Sequence, residues 1–237
     1  EGFEEFKVLV QAHQSHFMLS FQRRFHPFSQ KIKSILDQQL LGKMLQVTVQ
    51  VSSYVPDWHP YENFRDLYAC RKDLGGGVLL TECHELDLCY WFFGMPKTVY
   101  CSGTSVAGLG VEDTVQIVFN YAEFSITLNI SFMHRHPKRL LSFSGEYGEI
   151  NCDFVKNKLD VDYFDDTDAS FSEQSVVSND DPFIAQMHYF MKSFSYQDSL
   201  SYLDTAKSTT QLIGLAKESL TSQLVQHVTS QEVQKHV

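Results

Sequence analysis

The spacing of hydrophobic residues changes several times along the chain, and each change predicts a different kind of element. Apolar side chains recur every three or four positions in five stretches, which predicts helices over residues 3–15, 28–41, 78–93 and 199–225 and from residue 181 onward. Elsewhere they alternate with polar residues, which predicts strands over residues 45–51, 98–104, 114–121, 125–132, 140–144 and 149–153. Short turns join most of these strands. The pattern therefore predicts an α+β fold with a large, mainly antiparallel open sheet and helices packed on one face.

The first residues form a pattern that has no partner in the rest of the sequence. The helix over residues 3–15 is followed by a short apolar segment, residues 17–21, that is typical of a buried strand of a parallel sheet. Such a strand needs neighbouring strands, and none precedes it here. We therefore expect this helix and strand to belong to a sheet that lies upstream of residue 1.

Composition and charge narrow the class of protein. The 237 residues are 43% hydrophobic and 14% aromatic, which is typical of a folded globular protein. The formal net charge of -10 argues against nucleic acid and anionic membrane surfaces as partners. No apolar run reaches the roughly 20 residues that a membrane span needs, and the first residues lack the pattern of a signal peptide. The five cysteines form no C-x-x-C pair, so we expect free, buried thiols in a cytoplasmic protein.

The segment that follows three glycines at residues 75–77 carries the most chemistry. Within an otherwise apolar helix, one stripe consists of Leu80, His84, Asp87 and Trp91, at steps of three and four residues. An imidazole and a carboxylate are costly to bury unless they are paired or face a polar cavity. A histidine oriented by a carboxylate is a common general acid/base arrangement. The spacing is equally compatible with a pair that only holds the core together, and both interpretations stay open.

Two further groups of residues are candidates for binding. The segment before the glycines is aromatic and basic and suits a sugar ring or a carboxylate, although a packed crossover loop explains it equally from the residues alone. Its members are Trp58, His59, Tyr61, Arg65, Tyr68 and Arg71. His134 and His136 point the same way on a strand and resemble half a metal site, but no further ligands have suitable spacing. We therefore expect a surface pair and no metal.

A series of short motifs follows a fixed order along the chain. They are Arg23-Arg24-Phe25-His26-Pro27, Leu41-Gly42-Lys43, Trp58-His59-Pro60-Tyr61, Tyr68-Ala69-Cys70-Arg71-Lys72, the glycines with His84-Glu85-Leu86-Asp87, Gly145 with Gly148-Glu149-Ile150, and Glu218-Ser219. In this order they resemble the glucose–fructose oxidoreductase / inositol dehydrogenase / MocA (Gfo/Idh/MocA) family over nearly the whole chain. In particular, they are similar to a branch that is associated with bacterial surface-sugar pathways.

The resemblance implies a two-domain oxidoreductase. Its N-terminal Rossmann half binds NAD or NADP, its C-terminal half is an open sheet with helices, and a sugar or nucleotide-sugar substrate lies between the halves. Residues 1–23 would then be a remnant of the dinucleotide-binding domain, and residues 24–237 would be the C-terminal domain for substrate binding and oligomerisation. The open sheet face would bury against another subunit in a homo-oligomer.

The resemblance also implies roles for single residues. His84 matches the histidine that relays the proton of the sugar hydroxyl while hydride leaves for the nicotinamide, and Asp87 matches the acidic residue that orients this histidine or the sugar. The implied substrate contacts are His59, Arg71, Trp58, Tyr68 and Thr81, and the implied cofactor contacts are Arg23 and Gly76.

The sequence departs from the family at points that affect catalysis. The family's glutamate–lysine–proline motif, whose lysine works with the histidine, does not occur here, and neither does a G-x-G-x-x-G fingerprint. Since hydride transfer needs the cofactor, we expect this chain alone to be inactive. The alternative is a non-catalytic binding or assembly module that has lost its cofactor domain. A metal-dependent hydrolase built on His84, Glu85 and Asp87 is a third hypothesis.

Overall fold

The computed structural model describes residues 2–228, which form six α-helices and one nine-stranded sheet. The helices are α1 (Phe3–His13), α2 (Pro27–Asp37), α3 (Val78–Thr81), α4 (Cys83–Phe93), α5 (Asp181–Lys192) and α6 (Tyr196–Ser222). The strands are β1 (Met44–Tyr54), β2 (Thr98–Thr104), β3 (Thr114–Asn120), β4 (Ser125–Ser131), β5 (Met133–Gly145), β6 (Gly148–Asp153), β7 (Lys158–Tyr163), β8 (Phe171–Gln174) and β9 (Gln226–His227). None of the helices among residues 2–228 has the length and apolarity needed to cross a membrane.

The sheet is open and almost entirely antiparallel. Its strand order is β8-β7-β6-β5-β1-β4-β3-β2-β9, with β1 in the centre. β1 pairs in parallel with β4, with Val47 opposite Ile126, and antiparallel with β5, with Val47 opposite Phe143. The other neighbouring strands are antiparallel to one another, which confirms the predicted fold class.

Alternation along the strands separates a buried face from a polar one. Val47, Val49 and Leu128 lie at most 1% exposed on the face that α2, α4 and α6 cover. Thr48 and Asn129, which point to the other face, are only half-buried. The core therefore lies between one sheet face and the helices, and the opposite face presents polar side chains.

The strand over residues 17–21 stays a prediction, because the sheet to which it was assigned lies outside the 237 residues. Among the described residues this segment has no regular secondary structure and pairs with no strand. Instead, the backbone N–H of Phe17 donates a hydrogen bond to Ser199 Oγ of α6 at 3.0 Å, and Phe21 is buried beside α4. Phe17 also packs edge-to-face on Phe6 of α1, at a centroid distance of 5.1 Å.

The polar, aperiodic sequence of residues 165–181 predicts a loop, but the structure places a strand within it. Its residues Phe171–Gln174 form β8, which pairs with β7. The alternation of apolar and polar residues indicated neither of these two strands. β8 is a short edge strand with no fully buried side chain. An element of this kind has no apolar face to mark it in the sequence.

All five cysteines carry free thiols, as expected from the sequence. Four of them are buried in the core, and Cys83 is half-buried at the start of α4. Burial raises the pKa of Cys83 to about 11 and that of Cys101 to about 12. These thiols are therefore protonated at neutral pH and act as small apolar side chains.

Candidate functional site

The predicted helix over residues 78–93 is interrupted at Glu82. Glu82 has non-helical torsion angles (φ -100°, ψ 35°) and separates α3 from α4. Its carboxylate accepts a hydrogen bond from Arg139 Nη2 of β5 at 2.6 Å. His84 consequently lies in the first turn of α4, beside the break, rather than in the middle of a continuous helix.

His84 is half-buried at this position, with its ring against the edge of Phe21 at a centroid distance of 6.5 Å. Its Nδ1 atom is buried and has no hydrogen-bond partner among the described residues. Burial, reinforced by the positive charges of Arg139 and Arg23 and opposed by Glu82, lowers the pKa of His84 to about 4. The imidazole is therefore neutral at pH 7 and able to accept a proton.

A buried group of charges surrounds His84. Arg139 Nη1 lies 3.3 Å from Glu85 Oε1, and both Glu85 oxygens lack a hydrogen bond with suitable geometry among residues 2–228. The Glu85 side chain is fully buried. Arg23, from the short 3-10 turn Gln22–Phe25, is half-buried nearby, and its Nε is also without a partner there. Sequence reasoning missed Glu82 and Arg139. Glu82 and Glu85 lie on either side of His84 in sequence, and they are three residues apart, which is the spacing of neighbours on a helix.

Asp87 does not bond to His84. Arg24 donates from Nε to Oδ2 at 2.8 Å and from Nη2 to Oδ1 at 2.6 Å, and Thr209 Oγ1 of α6 donates to Oδ1 at 3.2 Å. The rings of Phe21 and Trp91 lie within 6 Å of the guanidinium carbon. Burial raises the pKa of Asp87, which Arg24 and Thr209 oppose. The structure therefore does not support Asp87 as the group that orients His84, because its oxygens tie α4 to the 3-10 turn and to α6.

Among the described residues, no hydrogen bond, ion pair or ring contact joins His84 to the predicted substrate contacts His59, Arg71 and Trp58. His59 Nδ1 lies 2.6 Å from Tyr61 Oη, and Arg71 pairs with Asp73 on the exposed surface. Trp58 packs on Phe132 at a centroid distance of 5.1 Å. Their described partners thus lie within their own segment or the core.

The remaining two predicted substrate contacts face different surroundings. Tyr68 is exposed, so its ring is free to meet a ligand. Thr81 Oγ1 donates a hydrogen bond to the Gly77 carbonyl oxygen at 3.0 Å. Because this bond uses the hydroxyl proton, Thr81 can offer a substrate only an acceptor.

The glycine loop is packed against its own backbone. A Cβ atom on Gly76 would lie 2.6 Å from the carbonyl oxygen of Tyr68 and 2.7 Å from those of Ala69 and Arg71. The N–H groups of Gly76 and Gly77 donate to Arg71 and Ala69 carbonyl oxygens. Close packing therefore explains the glycine, and the geometry gives no support to Gly76 as a cofactor contact.

Replacing Gly76 by alanine is expected to lower the free energy of unfolding by about 1–3 kcal/mol, because the added methyl group overpacks a backbone that cannot yield. Urea unfolding of this chain measures the change. Gly214→Ala is the matched control, since a Cβ there has no heavy atom within 4 Å and α6 should gain up to about 1 kcal/mol. Equal stability of the Gly76→Ala variant and the unmodified protein would contradict this packing argument.

A cleft of about 580 Å³ includes Gly76, one of the two predicted cofactor contacts. It is lined by the glycine loop, the end of β2 and the last turns of α6, including Lys72 and Lys217. His84 does not line it. The candidate site is instead the surface at the α3–α4 break, which carries His84. This imidazole is half-exposed and neutral, and its buried Nδ1 atom has no hydrogen-bond partner among the described residues.

Comparison with known proteins gives a consistent result. Residues 29–151 match the GFO/IDH/MocA C-terminal domain, and no curated protein matches the sequence. An NAD binding oxidoreductase from Klebsiella pneumoniae superposes with a TM-score of 0.78 at 15% identity, over 96% of this chain and 70% of that chain. Levoglucosan dehydrogenase in complex with NADH and levoglucosan superposes with a TM-score of 0.75 at 17% identity, over 96% of this chain and 71% of that chain. An inositol dehydrogenase homolog complexed with NAD+ from Azotobacter vinelandii superposes with a TM-score of 0.73 at 11% identity, over 95% of this chain and 68% of that chain. At these identities the similarity establishes the fold.

Proposed function

The chain belongs to the GFO/IDH/MocA family through its C-terminal domain, and on that premise we propose that it is the substrate-binding half of an NAD(P)-dependent oxidoreductase acting on a sugar or sugar derivative. The observation that carries the proposal is His84, a neutral and half-exposed imidazole held at a helix break inside a buried group of charges. Two structural relatives are named after a sugar derivative and a polyol, levoglucosan and inositol. They support this class of substrate for the present chain.

In this proposal the residues of the chain handle the proton. His84 accepts the proton of a substrate hydroxyl, for which a neutral imidazole is required, and returns it in the reverse direction. Arg23 and Arg139 disfavour a positive imidazole before substrate binds, so the ring is ready to act as a base at neutral pH. The nicotinamide, when bound, supplies the hydride acceptor.

The described residues do not by themselves fit a dinucleotide. Their nine strands belong to the one sheet, and the glycine loop has no free N–H groups at Gly76 and Gly77 to hold a phosphate. We therefore propose that NAD or NADP is held mainly by residues outside the 237, with Arg23 as a contact from this side. This chain alone would then be inactive.

The domain boundary remains part of the proposal. Residues 1–23 would belong with the nucleotide-binding half and residues 24–237 with the substrate domain, of which residues 229–237 lie outside the described part. In support, α1 meets α6 through ion pairs between exposed or half-exposed side chains, Lys7–Asp204 at 2.9 Å and Glu4–Lys207 at 2.7 Å. Exposed pairs of this kind are individually weak because water screens them, which is typical of a contact between domains rather than of a core.

A non-catalytic binding or assembly module is the second candidate. The polar face of the sheet favours it, because this face offers a surface on which a second copy could pack, as proposed for the homo-oligomer. Its half-buried threonine, asparagine and glutamine side chains would pair across the interface or bind water.

One experiment separates the two candidates. The full-length protein is mixed with NAD+ or NADP+ and a panel of sugars, polyols and nucleotide sugars, and the absorbance of the reduced nicotinamide is followed, with light scattering on the same sample to give the oligomeric state. We expect reduction with at least one sugar and none with this chain alone. A full-length protein that binds a sugar by calorimetry but reduces neither cofactor would support the non-catalytic module.

A further inference from the structure

Arg139 connects both sides of the helix break to the sheet. It projects from β5, where its backbone pairs with Val51 of β1, and its side chain is nearly buried. One guanidinium nitrogen donates to Glu82 at the break, and the other lies 3.3 Å from Glu85, in the first turn of α4. His84 lies between these two residues in sequence, so the turn that carries it is held at both ends by one side chain.

Glu82 and Glu85 need the positive charge of Arg139 because both carboxylates are buried. The Glu82 and Glu85 side chains are 11% and 0% exposed. Two neighbouring carboxylates that are shielded from water repel each other unless a cation lies between them. A guanidinium suits the position because it can meet two carboxylates at once with separate nitrogens, which an ammonium group cannot do in the same geometry.

We propose that Arg139 is a positioning residue for proton transfer by His84: it fixes the turn that carries the imidazole and places a permanent positive charge beside it. The inference rests on the proposed function of His84, but the placement and the charge can be measured without turnover. Arg139 would touch neither substrate nor cofactor and would act only through His84.

The charges that face His84 come from each element packed around it. Arg23 approaches from the 3-10 turn, Glu82 and Glu85 from the α3–α4 segment, and Arg139 from β5, whereas the Asp87 charge is taken up by Arg24. Among these groups Arg139 makes the largest contribution to the lowered pKa of His84 after burial itself. Removing this positive charge should therefore raise the pKa of the imidazole.

The test is a pH titration of the His84 ring by NMR in this chain, unmodified and with Arg139→Met. We expect Arg139→Met to raise the pKa of His84 by about 1, toward its ordinary value, because a like charge has been removed. Arg139→Lys keeps the charge and should leave the titration near that of the unmodified protein. Arg139→Gln, which can still bond a carboxylate, serves as the neutral variant if Arg139→Met does not fold.

Turnover by the full-length protein gives the second measurement. In the direction of sugar oxidation, the acid limb of kcat/KM should move to higher pH by the same amount in Arg139→Met, with kcat reduced more than KM is raised. Arg135→Met is the matched control, since Arg135 lies on the same strand but stacks over Tyr54 at 4.7 Å, and it should change neither quantity.

The outcomes separate this inference from the proposed function. A folded Arg139→Met or Arg139→Gln variant with an unchanged His84 titration would overturn the role of Arg139, whatever the enzyme does. A shifted titration in a full-length protein that oxidises no sugar would keep the electrostatic coupling and refute the proposed function instead.

Discussion

Replacing His84 by alanine in the full-length protein is expected to lower kcat for sugar oxidation by about two to four orders of magnitude, the usual contribution of a general acid/base. The imidazole is the neutral base of the proposed reaction, whereas the nearby carboxylates are paired with arginines: Glu82 and Glu85 with Arg139, and Asp87 with Arg24. Steady-state kinetics at several pH values measure the effect. The pH dependence below neutrality that titration of His84 produces should disappear with the side chain.

A matched histidine provides the control for this variant. His188 is exposed on α5 and lies outside the candidate site, so His188→Ala should leave kcat unchanged. The free energy of unfolding of His84→Ala should fall only slightly, since the ring is half-exposed and its buried Nδ1 has no bond to lose among the described residues. Near-normal turnover in a folded His84→Ala variant would mean that another group moves the proton.

The second large effect concerns stability. Replacing Arg24 by alanine is expected to lower the free energy of unfolding by about 3–5 kcal/mol, because it leaves the Asp87 carboxylate buried without its cation. The bidentate pair of Arg24 and Asp87 is shielded from water, because the two side chains are only 10% and 1% exposed. The loss also removes the guanidinium from between Phe21 and Trp91, where it contributes packing as well as charge. Urea or thermal unfolding of this chain gives the value.

Two further variants show whether the cost lies in the unpaired charge. In the double variant Arg24→Met/Asp87→Leu both charges are replaced by apolar groups, and much of the lost stability should return. Lys33→Ala breaks the surface pair with Asp37 and should cost less than about 1 kcal/mol. If Arg24→Ala were no more costly than Lys33→Ala, the buried pair would not be what ties α4 to the 3-10 turn.

The elements with a one-sided apolar pattern were predictable from the sequence. Ile126, Leu128 and Ile130 alternate with polar residues and all lie buried in β4, and the helices α2 and α6 follow the three- and four-residue spacing. Strand β8 was not predictable, because a short polar strand at the edge of the sheet has no apolar face to mark it in the sequence.

The site was predictable in its position but not in its contacts. Spacing along one helix reveals neighbours three and four residues apart, so it suggested a bond between His84 and Asp87. The partners that Asp87 has in the structure, Arg24 and Thr209, are 63 and 122 positions away. The partner of Glu82 is 57 positions away on β5. Contacts of this length depend on how the sheet and helices assemble, which a local pattern does not contain.

The central position of β1 also has a consequence for the order in which the protein folds. Strands β2 to β4 on one side, and β5 to β8 on the other, pair with neighbours in sequence and can form as local hairpins. β1 alone joins the two halves, and its parallel contact with β4 spans the whole crossover between residues 54 and 125. Closing a loop of that length costs entropy before the contact repays it, so we expect recruitment of β1 to be the slow step of folding. Until β1 is in place, each half-sheet would expose an unpaired edge to which the strands of other chains can add.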